Sequence, residues 1–174
     1  TIRRLREFLS QGETSKELIS LTPCIDVALQ MVDERLQRLN ISLTRNIDGG
    51  SSRILADRIQ VEQVMVNLLL NAMDAVEDNP PGNRRISIGL TVSNGIVALD
   101  VVDNGTGFDD QEIERIFHPF YTSKTGGMGM GLSISRTIAE AHGGKLLAVR
   151  TSEGLTRMRL TLPVANEAIK ETAA

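Results

Sequence analysis

The chain has 174 residues, 41% hydrophobic, 24% charged and 3% aromatic, so one domain with an aliphatic core is expected rather than a disordered segment. A formal net charge of −3 excludes the broad basic footprint of a nucleic-acid binder. Cys24 stands alone, which excludes an internal disulfide and zinc-type Cys/His clusters, and no apolar run approaches the roughly 20 residues of a membrane span.

No signal-peptide pattern opens the chain, and a reducing, cytoplasmic setting without direct membrane contact is expected. Ile2, Leu5, Phe8 and Leu9 share a helical stripe that stops at Gly12, so residues 1–13 read as the end of a helix whose body precedes Thr1. Thr22-Pro23 reads as the N-cap and first turn of the next helix, continued by Ile25, Leu29, Val32 and Leu36. Strand alternation over 41–47, a turn at Asp48-Gly49-Gly50 and a short strand over 53–56 follow. Asp57 can cap a helix that runs to about Asp78 and is broken by Asn79-Pro80-Pro81-Gly82. Asn94-Gly95, the strongest hairpin signal in the chain, joins strands over 85–93 and 96–102. A short helix over 109–117, a glycine-rich loop over 118–130 and a helix over 131–142 ending at Gly143-Gly144 come next. Strands over 145–150 and 157–162 complete a domain spanning 14–164, and residues 165–174 read as a frayed tail. This order predicts a two-layer α/β sandwich, a mixed and mostly antiparallel sheet with helices on one face.

Three features carry chemistry. On the helix over 57–78, Val61, Met65, Leu68, Leu69, Ala72, Met73 and Val76 form the buried stripe. Gln60, Gln63, Asn67, Asn71, Asp74 and Asp78 lie about 140° round from it. Such a stripe fits the wet face of any amphipathic helix. It also fits a binding face, because Val66 and Leu70 flank the amides and Asn is a poor filler of helix interiors. A carboxamide oxygen such as that of Asn71 suits Mg²⁺, a hard cation that keeps several waters and takes further oxygens from phosphates.

The second feature, Asp103-Asn104-Gly105-Thr106-Gly107, follows directly on an apolar strand. A carboxylate there can accept a charge-assisted hydrogen bond from the exocyclic amine of adenine, with Gly105 and Gly107 letting backbone approach a flat ring. The same residues also make an ordinary turn. The third feature is the run from Lys124 through Gly126, Gly127 and Gly129 to Gly131, leading straight into a helix. N–H groups and the positive dipole end there can cradle phosphate, Lys124 adds a point charge, and the loop over 118–130 is expected to order around a γ-phosphate. A plain flexible connector has the same composition. Two other phosphate motifs are excluded: Lys124 precedes the glycines, unlike G-x-x-x-x-G-K-[ST], and Gly127-x-Gly129-x-Gly131 is not G-x-G-x-x-G.

Together these runs resemble a known family. Asn67-Leu68-Leu69-Leu70-Asn71-Ala72 resembles the N box of sensor histidine kinases, and Asp103-Asn104-Gly105-Thr106-Gly107-Phe108 resembles their first glycine box. Residues 116–124, Ile-Phe-His-Pro-Phe-Tyr-Thr-Ser-Lys, resemble the F box, and 127–135, Gly-Met-Gly-Met-Gly-Leu-Ser-Ile-Ser, the second glycine box. The resemblance spans roughly residues 20–163 and is similar in wording to FixL- and NtrB-type kinases. It implies the Bergerat-type ATP-binding sandwich shared with gyrase, Hsp90 and MutL ATPase domains, with ATP and Mg²⁺ as ligands. Residues 1–13 would then be the end of a dimerisation helix.

Carried over position by position, Asn71 would hold Mg²⁺, Asn67 would sit beside the phosphates with Asp74 near the nucleotide, and Asp103 would fix the adenine amine between Gly105 and Gly107. Phe120, Thr122, Ser123, Lys124, Gly127, Met128, Gly129, Met130, Gly131, Leu132 and Thr156 would line the nucleotide site, with Lys124 and the backbone at Gly129 and Gly131 on the β- and γ-phosphates. Catalytic positioning would fall to Asn67, Asn71 and Lys124. Gly154-Leu155-Thr156 departs from the Gly-Gly-Thr common in the family, though Thr156 is kept.

In gyrase and MutL relatives a glutamate one turn before the metal-binding Asn activates water; here that position is Asn67, which is no base near pH 7. Glu62 lies about 500° of helical rotation earlier, off the amide stripe. The site is therefore expected to hold ATP without fast hydrolysis and to transfer its γ-phosphoryl group to a histidine brought from outside. His118 and His142 both lack the family's His-Glu acceptor context. The acceptor is expected upstream of Thr1, in the dimerisation domain of a homodimeric parent that passes the phosphoryl group to a response regulator. Two other readings are a slow GHKL-type ATPase, disfavoured by Asn67, and a nucleotide-sensing or pseudokinase binding module, disfavoured by Asn71, Asp103 and the glycine loop.

Overall fold

The computed structural model describes residues 15–48, 52–121 and 131–165. The expected helix end over 1–13 lies outside them, as do Gly49 and Gly50 of the expected turn and the tail from 166 onward.

Strand β1 (Glu17–Ser20) runs directly into helix α1 (Leu21–Arg38). Ser20 is the N-cap, with extended φ −97° and ψ 142°, so α1 begins ahead of the Thr22 cap read from the sequence. Pro23 still falls in the first turn, where N–H groups have no helical acceptor and a missing donor costs nothing. β1 pairs antiparallel with β3 (Arg53–Ala56) in a separate two-stranded sheet. Four residues are too few for their alternation to stand out in the sequence, and β1 was not anticipated.

The main sheet takes β2 (Ser42–Ile47), β4 (Arg85–Ser93), β5 (Ile96–Asp103), β6 (Lys145–Arg150) and β7 (Thr156–Pro163) in the order β2-β4-β5-β7-β6. β2 lies parallel to β4 and the other pairs are antiparallel, as a mixed, mostly antiparallel sheet requires. The consecutive strands β2 and β3 therefore serve different sheets. β4 and β5 form the expected hairpin, with Asn94 (φ 52°) and Gly95 (φ 73°) both left-handed, the geometry whose twist matches flanking strands.

Alternation sends one face inward: Ile86, Ile88, Leu90, Val97, Leu99, Val101, Leu146, Met158, Leu160 and Leu162 are all buried. α1, α2 (Arg58–Val76) and α4 (Gly131–Ala141) supply the second layer of the core, and Ile25, Ala28, Met65 and Leu69 meet Ile88, Leu99 and Val101 at one apolar junction. The whole expected stripe of α2 is buried, with Val64 added. Leu68 has no exposed surface, so truncating it to Ala would cost about 2–5 kcal/mol.

Asp57 caps α2 by accepting from the N–H groups of Ile59 (3.0 Å) and Gln60 (3.2 Å). The helix stops at Val76, two residues short of Asp78. α3 (Asp110–Arg115) opens on a capping box in which Asp109 accepts from the Glu112 N–H and Glu112 accepts from the Asp109 N–H. Beyond β7, Val164 donates to Gly95 O (2.9 Å) and Ala165 to Arg53 O (2.8 Å), so the first residue of the expected tail is hydrogen-bonded and ties the two sheets together.

Candidate functional site

The inward faces of three strands end side by side. Asp103 on β5 opposes Thr156 on β7, and Thr156 opposes Arg150 on β6. A carboxylate, a hydroxyl and a guanidinium thus form one cross-strand row at the end of the sheet where the glycine turn leaves β5. Asp103 is 3% exposed, and Thr156 is 4% exposed with an Oγ1 that finds no hydrogen-bond partner. A buried hydroxyl without a partner is uncommon and points to a ligand or a water.

Asp103 keeps its place through an Asx-type turn, accepting from the Gly105 N–H at 2.9 Å. Burial pushes its carboxyl up to about 6, and the Gly105 hydrogen bond only partly offsets this. The neighbouring Asn104 faces the other way and holds the corner. Its Oδ1 accepts from the Arg85 N–H (2.9 Å), its Nδ2 donates to Asn83 O (3.0 Å), and its carbonyl accepts from Asn79 Nδ2 (2.9 Å). Arg84 closes the same corner by donating to the carbonyls of Leu39, Glu77 and Asn79. Asn79 and Asn83, at either end of the Pro80-Pro81-Gly82 helix break, thus anchor the turn that presents Asp103.

Within the protein, Gly105 is pressed against α2. A Cβ there would lie 2.3 Å from Ala75 O and 2.4 Å from its carbonyl carbon. Gly107 has φ +71°, and a Cβ there would lie 2.0 Å from Arg150 Nη1 and 2.8 Å from Thr156 Oγ1. Arg150 Nη1 donates to Thr106 O at 3.1 Å.

On α2, Asn67, Asn71 and Asp74 are all half-buried along one side of the helix. Asn67 Nδ2 donates to Ser135 Oγ (3.1 Å) and Gly131 O (3.4 Å), which pins the first turns of α4 against α2. Asp74 forms an ion pair with Arg35 of α1, whose guanidinium also reaches Glu77 at 3.4 Å. Glu62 acts on the buried Cys24 thiol, whose proton is held up to about 11 by burial first and by that carboxylate second. Five positions before Asn67, Glu62 stands about 140° round the helix from it.

Gly131 opens α4 and Leu132 packs against the core, while Phe120 is 71% exposed with a left-handed φ of 66°. Thr122, Ser123, Lys124, Gly127, Met128, Gly129 and Met130 lie outside the described residues. His118 is exposed. His142 is buried; its Nδ1 donates to Ile138 O (2.7 Å) and its Nε2 accepts from the Asp57 N–H (3.0 Å), so both ring nitrogens serve the fold. Arg35, Arg150 and Ser135 were not anticipated. Only Ser135 left a trace in the sequence, sitting one turn after Gly131 at the helical spacing that faces Asn67.

Among the described residues no cluster of three His, Cys, Asp or Glu side chains could cage a metal, and no helix is long and apolar enough to cross a membrane. Residues 56–166 match the family described as histidine kinase-, DNA gyrase B-, and HSP90-like ATPase. The chain is 40% identical over 167 residues to the sensor protein FixL of Bradyrhizobium diazoefficiens, covering 95% of this chain and 33% of that protein. It is 30% identical over 163 residues to the signal transduction histidine-protein kinase AtoS of Escherichia coli, covering 94% of this chain and 26% of AtoS. The chain thus spans a third or less of these two curated relatives. Among solved structures, the catalytic domain of histidine kinase ThkA superposes with a TM-score of 0.77 at 30% identity, covering 86% of this chain and 96% of that one. ThkA in complex with the response regulator protein TrrA superposes with a TM-score of 0.78 at 25% identity, covering 94% of this chain and 46% of that one.

Proposed function

Because the chain belongs to the histidine kinase-, DNA gyrase B-, and HSP90-like ATPase family, we propose that it is the ATP-binding catalytic part of a two-component sensor histidine kinase. It transfers the γ-phosphoryl group of ATP to a histidine in a dimerisation domain outside this chain. The observation that carries the reading is the buried Asp103 carboxylate, aligned with the unpartnered Thr156 hydroxyl at the sheet end where the Gly105–Gly107 turn packs on α2.

Asp103 accepts the adenine amine, an interaction that favours its ionised form and offsets the cost of burying it. Asn67 fixes the start of α4, whose N-terminal end offers N–H donors and positive dipole to phosphate oxygens. Mg²⁺ fits the donor set as a phosphate-borne ion, not as a caged one: α2 offers the Asn71 amide oxygen, and Asp74 is already engaged by Arg35. When bound it neutralises phosphate charge, and Asn71 is the protein group that would hold it. Phe120, Thr122, Ser123, Lys124 and the glycines over 127–131 close the phosphate side in this reading. Asn67 stands where a base would be and donates to Ser135, and the Asp74 carboxylate on the same row is ion-paired with Arg35, so this reading assigns no water-activating base to α2. Transfer then depends on positioning and charge neutralisation.

The partners in this reading are the histidine-bearing domain of a dimeric parent and a response regulator, in the cytoplasm. The test combines Mg²⁺-dependent ATP binding, steady-state phosphate release and phosphoryl transfer to a supplied histidine-bearing dimerisation domain. Binding and transfer with little phosphate release are expected. Fast phosphate release without transfer would favour an ATPase, and binding alone a nucleotide-sensing module.

A further inference from the structure

We infer that Arg150 is a positioning residue of the adenine site, acting through the Gly105–Gly107 turn. The inference rests on the ATP-binding reading above. Arg150 is the last residue of β6, the edge strand of the main sheet, and it faces the same side as Asp103 and Thr156 in the cross-strand row. From that edge its guanidinium crosses to the loop after β5 and donates to the Thr106 carbonyl at 3.1 Å. The passage exists because residue 107 has no side chain: a Cβ at Gly107 would lie 2.0 Å from Nη1 and 3.2 Å from Cζ.

The turn is thus held from three directions. Asp103 accepts from Gly105 N–H within it. Gly105 lies against the main chain of Ala75 on α2. Arg150 grips Thr106 between them from β6. Two of these holds are hydrogen bonds and the third is steric, so each constrains a different direction of movement. Loss of the β6 hold would let Thr106 and Gly107 swing away from Thr156, widening the floor on which a ring is to lie beside Asp103. A charged donor on a main-chain carbonyl is also a stronger tether than a neutral one. Arg150 touches loop backbone in this arrangement and is not itself a ligand of the base.

The test is a titration of the whole chain with Mg·ATP, for wild type, R150A, R150K and D103N, and for R150A combined with D103N. Thermal unfolding is followed in parallel. R150A should weaken ATP about tenfold, the scale of one hydrogen bond to a charged group, with an unfolding midpoint close to wild type because the side chain is exposed. R150K, which keeps a charged donor, should recover most of the affinity. In the D103N background the further loss from R150A should shrink, because both residues act on one edge of the base. Wild-type binding with R150A equal or tighter would overturn the inference and leave the nucleotide reading standing. A wild-type chain that binds no ATP would remove both. If R150A unfolds, R150M, which keeps the stem and removes the donor, decides: a folded R150M that binds ATP as tightly as wild type overturns the inference, and one about tenfold weaker sustains it.

Discussion

Asp57 and His142, 85 positions apart, are joined by a 3.0 Å hydrogen bond from the Asp57 amide to His142 Nε2. The same imidazole donates through Nδ1 to Ile138 O, so one buried ring ties the C-terminal end of α4 to the N-terminal end of α2. These are the two helices that carry the proposed phosphate side of the site. His142→Ala would leave the Asp57 amide without its acceptor and open a void, at a cost of about 1–3 kcal/mol. Denaturant unfolding should show that loss, while phosphoryl transfer to a supplied acceptor domain should persist. Abolished transfer in a still-folded variant would instead make His142 part of the reaction.

Asp103 gives the site a pH dependence with a definite sign. Its carboxyl is raised from 3.8 to about 6 by burial, so the folded, empty chain holds a proton that the unfolded chain has released. The stabilisation from that retained proton is fully present below pH 3.8 and is lost as pH rises through about 6. Nucleotide binding uses the ionised form. ATP affinity should therefore be steady above pH 7 and fall as pH drops through 6, with proton uptake or release measured by calorimetry in buffers of different ionisation enthalpy. Proton release on binding is expected near pH 6. Asp103→Asn should be weaker throughout and lack this titration.

Gly105→Ala separates packing on α2 from space for a ligand. The new Cβ would meet Ala75 O at 2.3 Å, a main-chain contact that no rotamer relieves. A stability loss of about 1–3 kcal/mol is expected even without nucleotide, the usual scale of overpacking. A chain as stable as wild type, with only ATP binding impaired, would place the glycine's role at the ring.

Asn71→Ala should remove the Mg²⁺ dependence of ATP binding while leaving the fold intact, since the side chain is half-buried and lies off the apolar stripe of α2. Titrations with and without EDTA should differ for wild type and coincide for the variant. An unfolded variant would show that the amide is structural.

Much of this architecture is legible in the sequence because local signals agree with the tertiary result. The 3.6-residue period of α2, its Asp57 cap, the Asn94-Gly95 hairpin and the strand end at Asp103 each have one dominant physical cause. What escaped depends on distant partners. β1 carries too few residues for a period, and the separation of β2 from β3 depends on pairing with β4 and β1, which neither strand encodes alone. The sequence also leaves open which neighbour makes Gly105 necessary: a plain glycine turn and one pressed on Ala75 read identically. Arg150 looks like any charge at a strand end until the row across β5, β7 and β6 places it behind Gly107. Cap residues blur as well: Ser20 and Thr22 are equally suitable by type, and the hand-over from β1 selects Ser20.

The exocyclic amine of adenine is the group that Asp103 is proposed to hold, and ITP differs from ATP by carrying an oxygen there. Calorimetric titration of wild type and Asp103→Asn with Mg·ATP and Mg·ITP tests that contact most directly. Wild type should prefer ATP by at least about tenfold, the size of a charged hydrogen bond, and the variant should lose that preference. Equal binding of the two nucleotides by wild type would contradict the assignment of Asp103.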